Sequence, residues 1–226
     1  MRRSRCLPLL LLTLALEGCV HWRLPPLNPQ AHALGIPEER KLPLRVAVVV
    51  PDPMGFRFMI SFMAKGKPLG RGGKPQDWTG KFGGEQHWHV APELARVSAA
   101  GFSQVFAEAV SLRAMPQPGE YDAVIEARVS QITLLDNIKP PSRRDGELAL
   151  DWKLTVFDRE GIELLSRQDI EHGEVYDAYY WFMLGRYNET LGNELSKVLG
   201  ALAKRWAELV YNEEAVKAYA ARVKGK

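Results

Sequence analysis

Glu147-Leu148-Ala149-Leu150-Asp151-Trp152-Lys153-Leu154-Thr155-Val156-Phe157 alternates more cleanly than any other stretch of the chain. Leu148, Leu150, Trp152, Leu154 and Val156 fall on one side, and Asp151, Lys153 and Thr155 on the other. Side chains two apart on a strand share a face, so this pattern predicts a strand with one face in a core. Asp158-Arg159-Glu160-Gly161 follows as a hairpin connection, with Gly161 placed to adopt positive φ. The partner strand is expected from Ile162 to about Ile170. An antiparallel pair with one apolar face needs a cover, and the flanking sequence supplies it.

Upstream, Tyr121 to Leu135 carries Val124, Ile125, Val129, Ile132 and Leu134 and reads as a third strand. Arg45-Val46-Ala47-Val48-Val49-Val50, stopped by Pro51-Asp52-Pro53, is β-branched and apolar throughout, the mark of a buried central strand. From Phe56 to Met63, Phe56, Phe58, Ile60 and Phe62 alternate with Arg57, Met59 and Ser61. Pro92 suits the first turn of a helix and Glu93 its positive end. Leu94, Val97, Gly101, Val105 and Phe106 recur at helical spacing, which predicts a helix over 92–114. Downstream, Leu191, Leu195, Val198, Leu202, Trp206 and Leu209 stripe a long amphipathic helix from about Tyr187 to Tyr211, with a short one over 213–223. The order β-β-α-β-β-β-α-α predicts an α+β domain: one mixed or mostly antiparallel sheet with two long helices packed on one face.

The amino end reads differently. Arg2, Arg3 and Arg5 precede an apolar run from Leu7 to Leu16, and Gly18-Cys19 follows. This is the layout of a secretory signal, and the run is about half as long as a membrane-spanning helix needs. Leu16-Glu17-Gly18-Cys19 resembles a lipobox, the site at which bacterial lipoproteins are acylated on cysteine and cleaved before it. Leu16 and Gly18 match that pattern, while Glu17 stands where a small or aliphatic residue is usual. The resemblance implies a signal peptide over 1–18 and diacylglycerol on Cys19. Val20 follows the cysteine where an aspartate would imply inner-membrane retention, so the resemblance implies the periplasmic face of the outer membrane. Residues 20–43 hold Pro25, Pro26, Pro29, Pro37 and Pro43, so 19–44 reads as a Pro-rich tether, roughly 70 Å long if extended. The domain is then 45–226. Its element order also loosely resembles α/β accessory lipoproteins of the outer membrane, such as activators of cell-wall synthases and curli secretion components.

Charge and cysteine content narrow the chemistry. The chain has 30 Lys and Arg against 27 Asp and Glu. Arg2, Arg3, Arg5 and Glu17 account for most of that excess, so nothing in the mature balance calls for nucleic acid. Of the two cysteines, Cys6 lies in the segment expected to be removed and Cys19 at the lipid site. Thiol catalysis, disulfides and cysteine metal sites drop out together.

Residues 64–90 form a glycine-rich basic segment with Trp78, Phe82 and Trp88 interleaved. It fails the phosphate-loop pattern, because no glycine stands five residues before Gly73 and Pro75 replaces the required Ser or Thr. His87 and His89 would share a face on a strand and could meet one metal, with His172 or Glu85 as third ligand. They equally fit a polar, glycine-flanked loop. Tyr176, Tyr179, Tyr180, Trp181, Phe182 and Tyr187 cluster before the last long helix, and such side chains bury large areas at interfaces as well as in cores. There is no nucleophile elbow and no zincin motif.

These features define a non-enzymatic, membrane-anchored accessory or scaffold lipoprotein with an envelope protein partner and no cofactor. Candidate contact residues are Tyr176, Tyr179, Tyr180, Trp181, Tyr187, Trp78 and Trp88. A lipid-, glycan- or cell-wall-binding module using the same aromatics is the alternative, and a metal-dependent hydrolase using His87 and His89 the third.

Overall fold

The computed structural model of the protein describes residues 26–51, 59–64, 67–68, 90–139, 143–177 and 184–225. Seven strands form one sheet: β1 (Leu42–Val49), β2 (Met59–Ala64), β3 (Lys67–Pro68), β4 (Phe106–Leu112), β5 (Ala123–Lys139), β6 (Arg143–Asp158) and β7 (Glu163–Asp177). The helices are α1 (Val90–Phe102), α2 (Leu184–Asn212) and α3 (Glu214–Lys224), and a 3-10 turn at Glu38–Arg40 precedes β1.

The long strand β5 organises the sheet. Along one edge it pairs with β6 over its whole length, antiparallel. Along the other it pairs in parallel with β1 through Ala123 to Glu126, and with β2 through Thr133 to Asn137. One end of the sheet therefore runs β4-β1-β5-β6-β7 and the other β3-β2-β5-β6-β7. The sheet is mixed, as its sequence predicts. β1 has β4 and β5 as parallel neighbours, which explains why Val46 to Val50 is apolar on both faces.

The alternation of β6 sets the core face. Leu148, Leu150, Trp152, Leu154 and Val156 are buried, and they join Val46, Val48, Ile125, Ala127 and Val129 in one cluster with the helices. Leu195, Val198, Leu202 and Trp206 of α2 reach that cluster, as do Leu94 and Val97 of α1 and Val216 and Tyr219 of α3. The hairpin after β6 forms at the expected turn. Gly161 has φ 83°, and the Asp158 carboxylate accepts hydrogen bonds from the backbone N–H groups of Glu160 and Ile162.

α2 lies antiparallel to β7. Glu213, Arg205 and Val198 sit beside Arg167, Glu171 and Gly173 in turn. The helix approaches so closely at Gly173 that a Cβ there would stand 2.2 Å from Val198 Cγ2, so the strand needs a glycine at that point.

Two expectations are corrected. The helix expected over 92–114 ends at Phe102, and Phe106–Leu112 is strand β4. The break is a tight turn: the N–H groups of Ser103, Gln104 and Val105 bond to the carbonyls of Ala99, Gly101 and Phe102. Phe106 then stays in the core, and β1 gains a second parallel partner. The tether, expected to run free to residue 44, is docked from Pro26 onward, and β1 starts at Leu42. The strand expected from Phe56 is described from Met59 only; residues 52–58 lie outside the described residues.

Candidate interaction surfaces

Most of the aromatic and histidine candidates fall outside the described residues: Trp78, His87, Trp88, His89, Tyr179, Tyr180 and Trp181, and with them Cys19. Tyr176 is placed on β7 opposite Asp145 of β6, and Tyr187 in the first turn of α2. Their backbone positions are thus at one end of the molecule, where β7 ends and α2 begins. Among the described residues no group of three His, Cys, Asp or Glu side chains is arranged to hold a metal ion.

The docked amino-terminal segment is the contact that sequence reading missed. Leu27 is buried in the core, and Pro29 is buried next to it. The Asn28 N–H donates to Ser196 Oγ at 3.0 Å, and Arg96 of α1 donates to the Pro29 carbonyl at 2.9 Å. Gln104 makes a two-sided bond: its Oε1 accepts from the Leu34 N–H at 2.8 Å, and its Nε2 donates to the His32 carbonyl at 3.0 Å. The Gln30 carbonyl crosses Gly200, where a Cβ would approach within 2.6 Å. Polar groups of the strap therefore find partners on α1, on the turn after it and on α2. Read from Leu34 back to Asn28, the segment passes Gln104, then Gly200, then Ser196. It leaves the domain heading toward the amino end of α2.

A second cluster fastens α2 to the edge strand. Arg205 donates to Glu171 at 2.8 Å and to Asp169, and its guanidinium lies 5.3 Å from the centre of the Trp152 ring. Trp152 meets Trp206 edge-on, with ring centres 5.9 Å apart. Asp169 and Glu171 are two apart on β7 and so share the face that α2 covers. The only sequence signal for this site is that Asp-x-Glu spacing, which does not reveal its partner. The Ile170 N–H foremost holds the Asp169 carboxyl below its ordinary range; burial opposes it, and the Arg205 guanidinium adds to the lowering. Glu171 foremost raises the Arg205 guanidinium. With both carboxylates bonded to one guanidinium, the cluster clamps α2 to β7.

The sign of the Asp169 shift gives a testable pH dependence. A carboxyl held low in the folded state stabilises the fold at neutral pH, and that contribution fades as pH falls below the ordinary aspartate range toward the lowered folded-state value. Asp169→Asn should therefore lower the melting temperature slightly at pH 7, and by progressively less as the pH is taken below the ordinary aspartate range. A difference that grew on acidification would contradict the clamp. The site is solvent-facing, so the effect should shrink in high salt.

At the opposite edge of the helical layer, the Tyr219 hydroxyl donates to the Asp122 carbonyl at 2.7 Å and accepts from the Arg159 N–H at 3.3 Å. Burial pushes this phenol above its ordinary value. It ties α3 to the start of β5 and to the β6–β7 turn.

No protein-family model matches the chain, and no curated protein matches it in sequence. Solved structures do resemble it in outline. A Xanthomonas campestris protein of the DUF330 family is 9% identical, with a TM-score of 0.49 over 89% of this chain and 98% of its own. A minor lipoprotein of Acinetobacter baumannii is 10% identical, with a TM-score of 0.38 over 73% of this chain and 87% of its own. A lipoprotein of Neisseria meningitidis is 14% identical, with a TM-score of 0.29 over 67% of this chain and 98% of its own.

Proposed function

We propose that the chain is a lipid-anchored accessory protein of the bacterial envelope, held by an acyl group on Cys19 at the periplasmic face of the outer membrane, where it binds a protein of an envelope assembly without catalysing a reaction. The observation that carries the reading is the junction of two parts. A charged start, a short apolar run and Leu16-Glu17-Gly18-Cys19 lead within a few residues into a strap docked on the helices. An export signal alone would need no such ordered junction. A protein that must be held at a membrane in a defined way benefits from one. No helix among the described residues is long and apolar enough to cross a membrane, which leaves the acyl group as the anchor in this reading.

The partner surface in this reading is the end that carries Tyr176 and Tyr187, together with Tyr179, Tyr180 and Trp181 in the intervening sequence and with Trp78 and Trp88. Large aromatics there would supply the desolvated contacts that dominate protein interfaces. Cross-linking in the native envelope followed by mass spectrometry should recover one defined protein partner. Tyr180→Ala with Trp181→Ala should reduce that capture by an order of magnitude or more, because aromatic anchors each contribute about 2 kcal/mol or more. Capture unchanged by the double substitution would remove this surface, and heat released on titrating envelope glycans would favour the ligand-binding alternative.

A further inference from the structure

We infer that the outer edge of β7 pairs with the same edge of a second copy of the chain, antiparallel and centred on Gln168, so that two sheets join into one.

β7 is an edge strand of 15 residues that bonds to β6 on one side. The hairpin fixes which of its backbone groups face outward. The Asp158 N–H donates to the Ile162 carbonyl, so these residues form a hydrogen-bonded pair. Bonded and non-bonded pairs alternate along an antiparallel ladder. Beyond the bulge opposite Val156 and Phe157, Leu165, Arg167, Asp169 and Glu171 therefore turn their backbone groups to β6. Ser166, Gln168 and Ile170 turn theirs outward. An independent contact agrees: the Ile170 N–H donates to the Asp169 carboxylate at 2.8 Å instead of entering the ladder. Among the described residues no other backbone bonds to this edge.

Sheet edges that stay single are usually blunted by proline, lysine or a bulge. β7 has neither proline nor lysine, and its register shift with β6 lies at its start. Its one guard is the Asp169 carboxylate on the Ile170 N–H, while the Ile170 side chain is 42% exposed.

Charge selects the register. Two copies must bring outward-facing positions opposite each other, which two-fold axes at Arg167, Gln168, Asp169 or Ile170 all do. Like charges directly opposite are destabilising. An axis at Arg167 sets Arg167 against itself, one at Asp169 sets Asp169 against itself, and one at Ile170 sets Asp169 against Glu171 twice. The axis at Gln168 sets Arg167 against the partner's Asp169 twice, and no like charges meet from Glu163 to Gly173. Both side chains are more than half exposed, and Arg167 has only a 3.8 Å contact with Glu213 to give up. In this register the Ile170 N–H donates to the Ser166 carbonyl of the second copy. Asp169 exchanges that N–H for the partner's guanidinium.

A two-fold axis between antiparallel strands stands perpendicular to the sheet. Both helical layers, and with them both docked straps, then lie on one side. Two amino ends leaving on one side suit a single bilayer, although the pairing itself does not depend on acylation.

The test uses the full chain in the membranes of a bacterial host under mild oxidation, with the parent chain as the control for Cys6 and Cys19. Opposed residues of a bonded pair have Cα atoms about 5.5 Å apart, within disulfide range. Gln168→Cys should become largely a disulfide-linked dimer. Lys153→Cys, one strand further in and about 14 Å from its copy, should not. Ser166→Cys and Ile170→Cys should link to each other on co-expression several-fold more than either links to itself. Without added cysteines, the parent chain should sediment in detergent as a dimer. Gln168→Pro removes an outward N–H and spares the ladder to β6, so it should weaken that dimer about ten-fold with little change in melting temperature. Linkage at Gln168→Cys no greater than at Lys153→Cys, or a parent chain that sediments as a monomer at every concentration, overturns the pairing.

Discussion

Trp206→Ala should cost the domain about 3–5 kcal/mol, the largest loss expected from any single substitution here. Trp206 is fully buried in α2 and meets Trp152 of β6 edge-on with ring centres 5.9 Å apart. Truncation removes the transfer free energy of the indole, leaves a cavity under the helix and forfeits an aromatic pair worth about 1 kcal/mol more. The indole Nε1 of Trp206 has no hydrogen-bond partner among the described residues, so the expected effect is one of packing. Trp206→Phe, which keeps a ring at the same place, should lose distinctly less. Urea unfolding of the three proteins measures this through the midpoint at constant slope. Equal midpoints for Trp206 and Trp206→Ala would mean that α2 does not seal the core.

Gly200→Ala should release the amino-terminal strap while leaving the sheet and helices in place. The new Cβ would come within 2.6 Å of the Gln30 carbonyl oxygen and 3.3 Å of His32 Nε2. The first of these is backbone, which cannot rotate away as a side-chain tip can. The strap must lift, and with it go the bonds to Ser196, Arg96 and Gln104 and the burial of Leu27. Alanine is meanwhile the better helix former, which offsets part of the loss. The expected result is a modest fall in melting temperature with a large rise in the rate of proteolytic cleavage between Pro26 and Ile36. Local opening of this kind exposes a segment without global unfolding. A cleavage rate equal to that of the parent would contradict the docking.

The fold was legible where one period dominated. β6 and α2 each repeat an unambiguous stripe over ten or more residues, and Asp158 to Gly161 carries its own turn chemistry; all three stand as expected. The stretch from Val105 to Val110 does not discriminate in this way. Val105, Phe106, Ala109 and Val110 continue the helical stripe of Leu94 and Val97, yet strand β4 buries Phe106 just as well. Pairing with β1 decides between them, and that contact is non-local. The strap shows the other limit. Its prolines disfavour regular structure, and that is compatible with both a free tether and a docked one. What docks it is distributed over Arg96, Gln104, Ser196 and the bare Cα of Gly200, far apart in sequence. Likewise Asp169 and Glu171 stand two apart on β7, while the guanidinium that joins them comes from Arg205, more than thirty positions later. Among the proposed contact residues only Tyr176 and Tyr187 are placed by the described backbone, both at the end toward which the strap runs.

The account depends first on the anchor, and one comparison tests it most directly: intact mass and membrane fractionation of the protein expressed in a bacterial host, beside Cys19→Ala. The account predicts that the parent protein loses residues 1–18, gains acyl mass and sediments with membranes, and that Cys19→Ala does none of the three. A parent protein that is soluble, unacylated and cleaved elsewhere would contradict it.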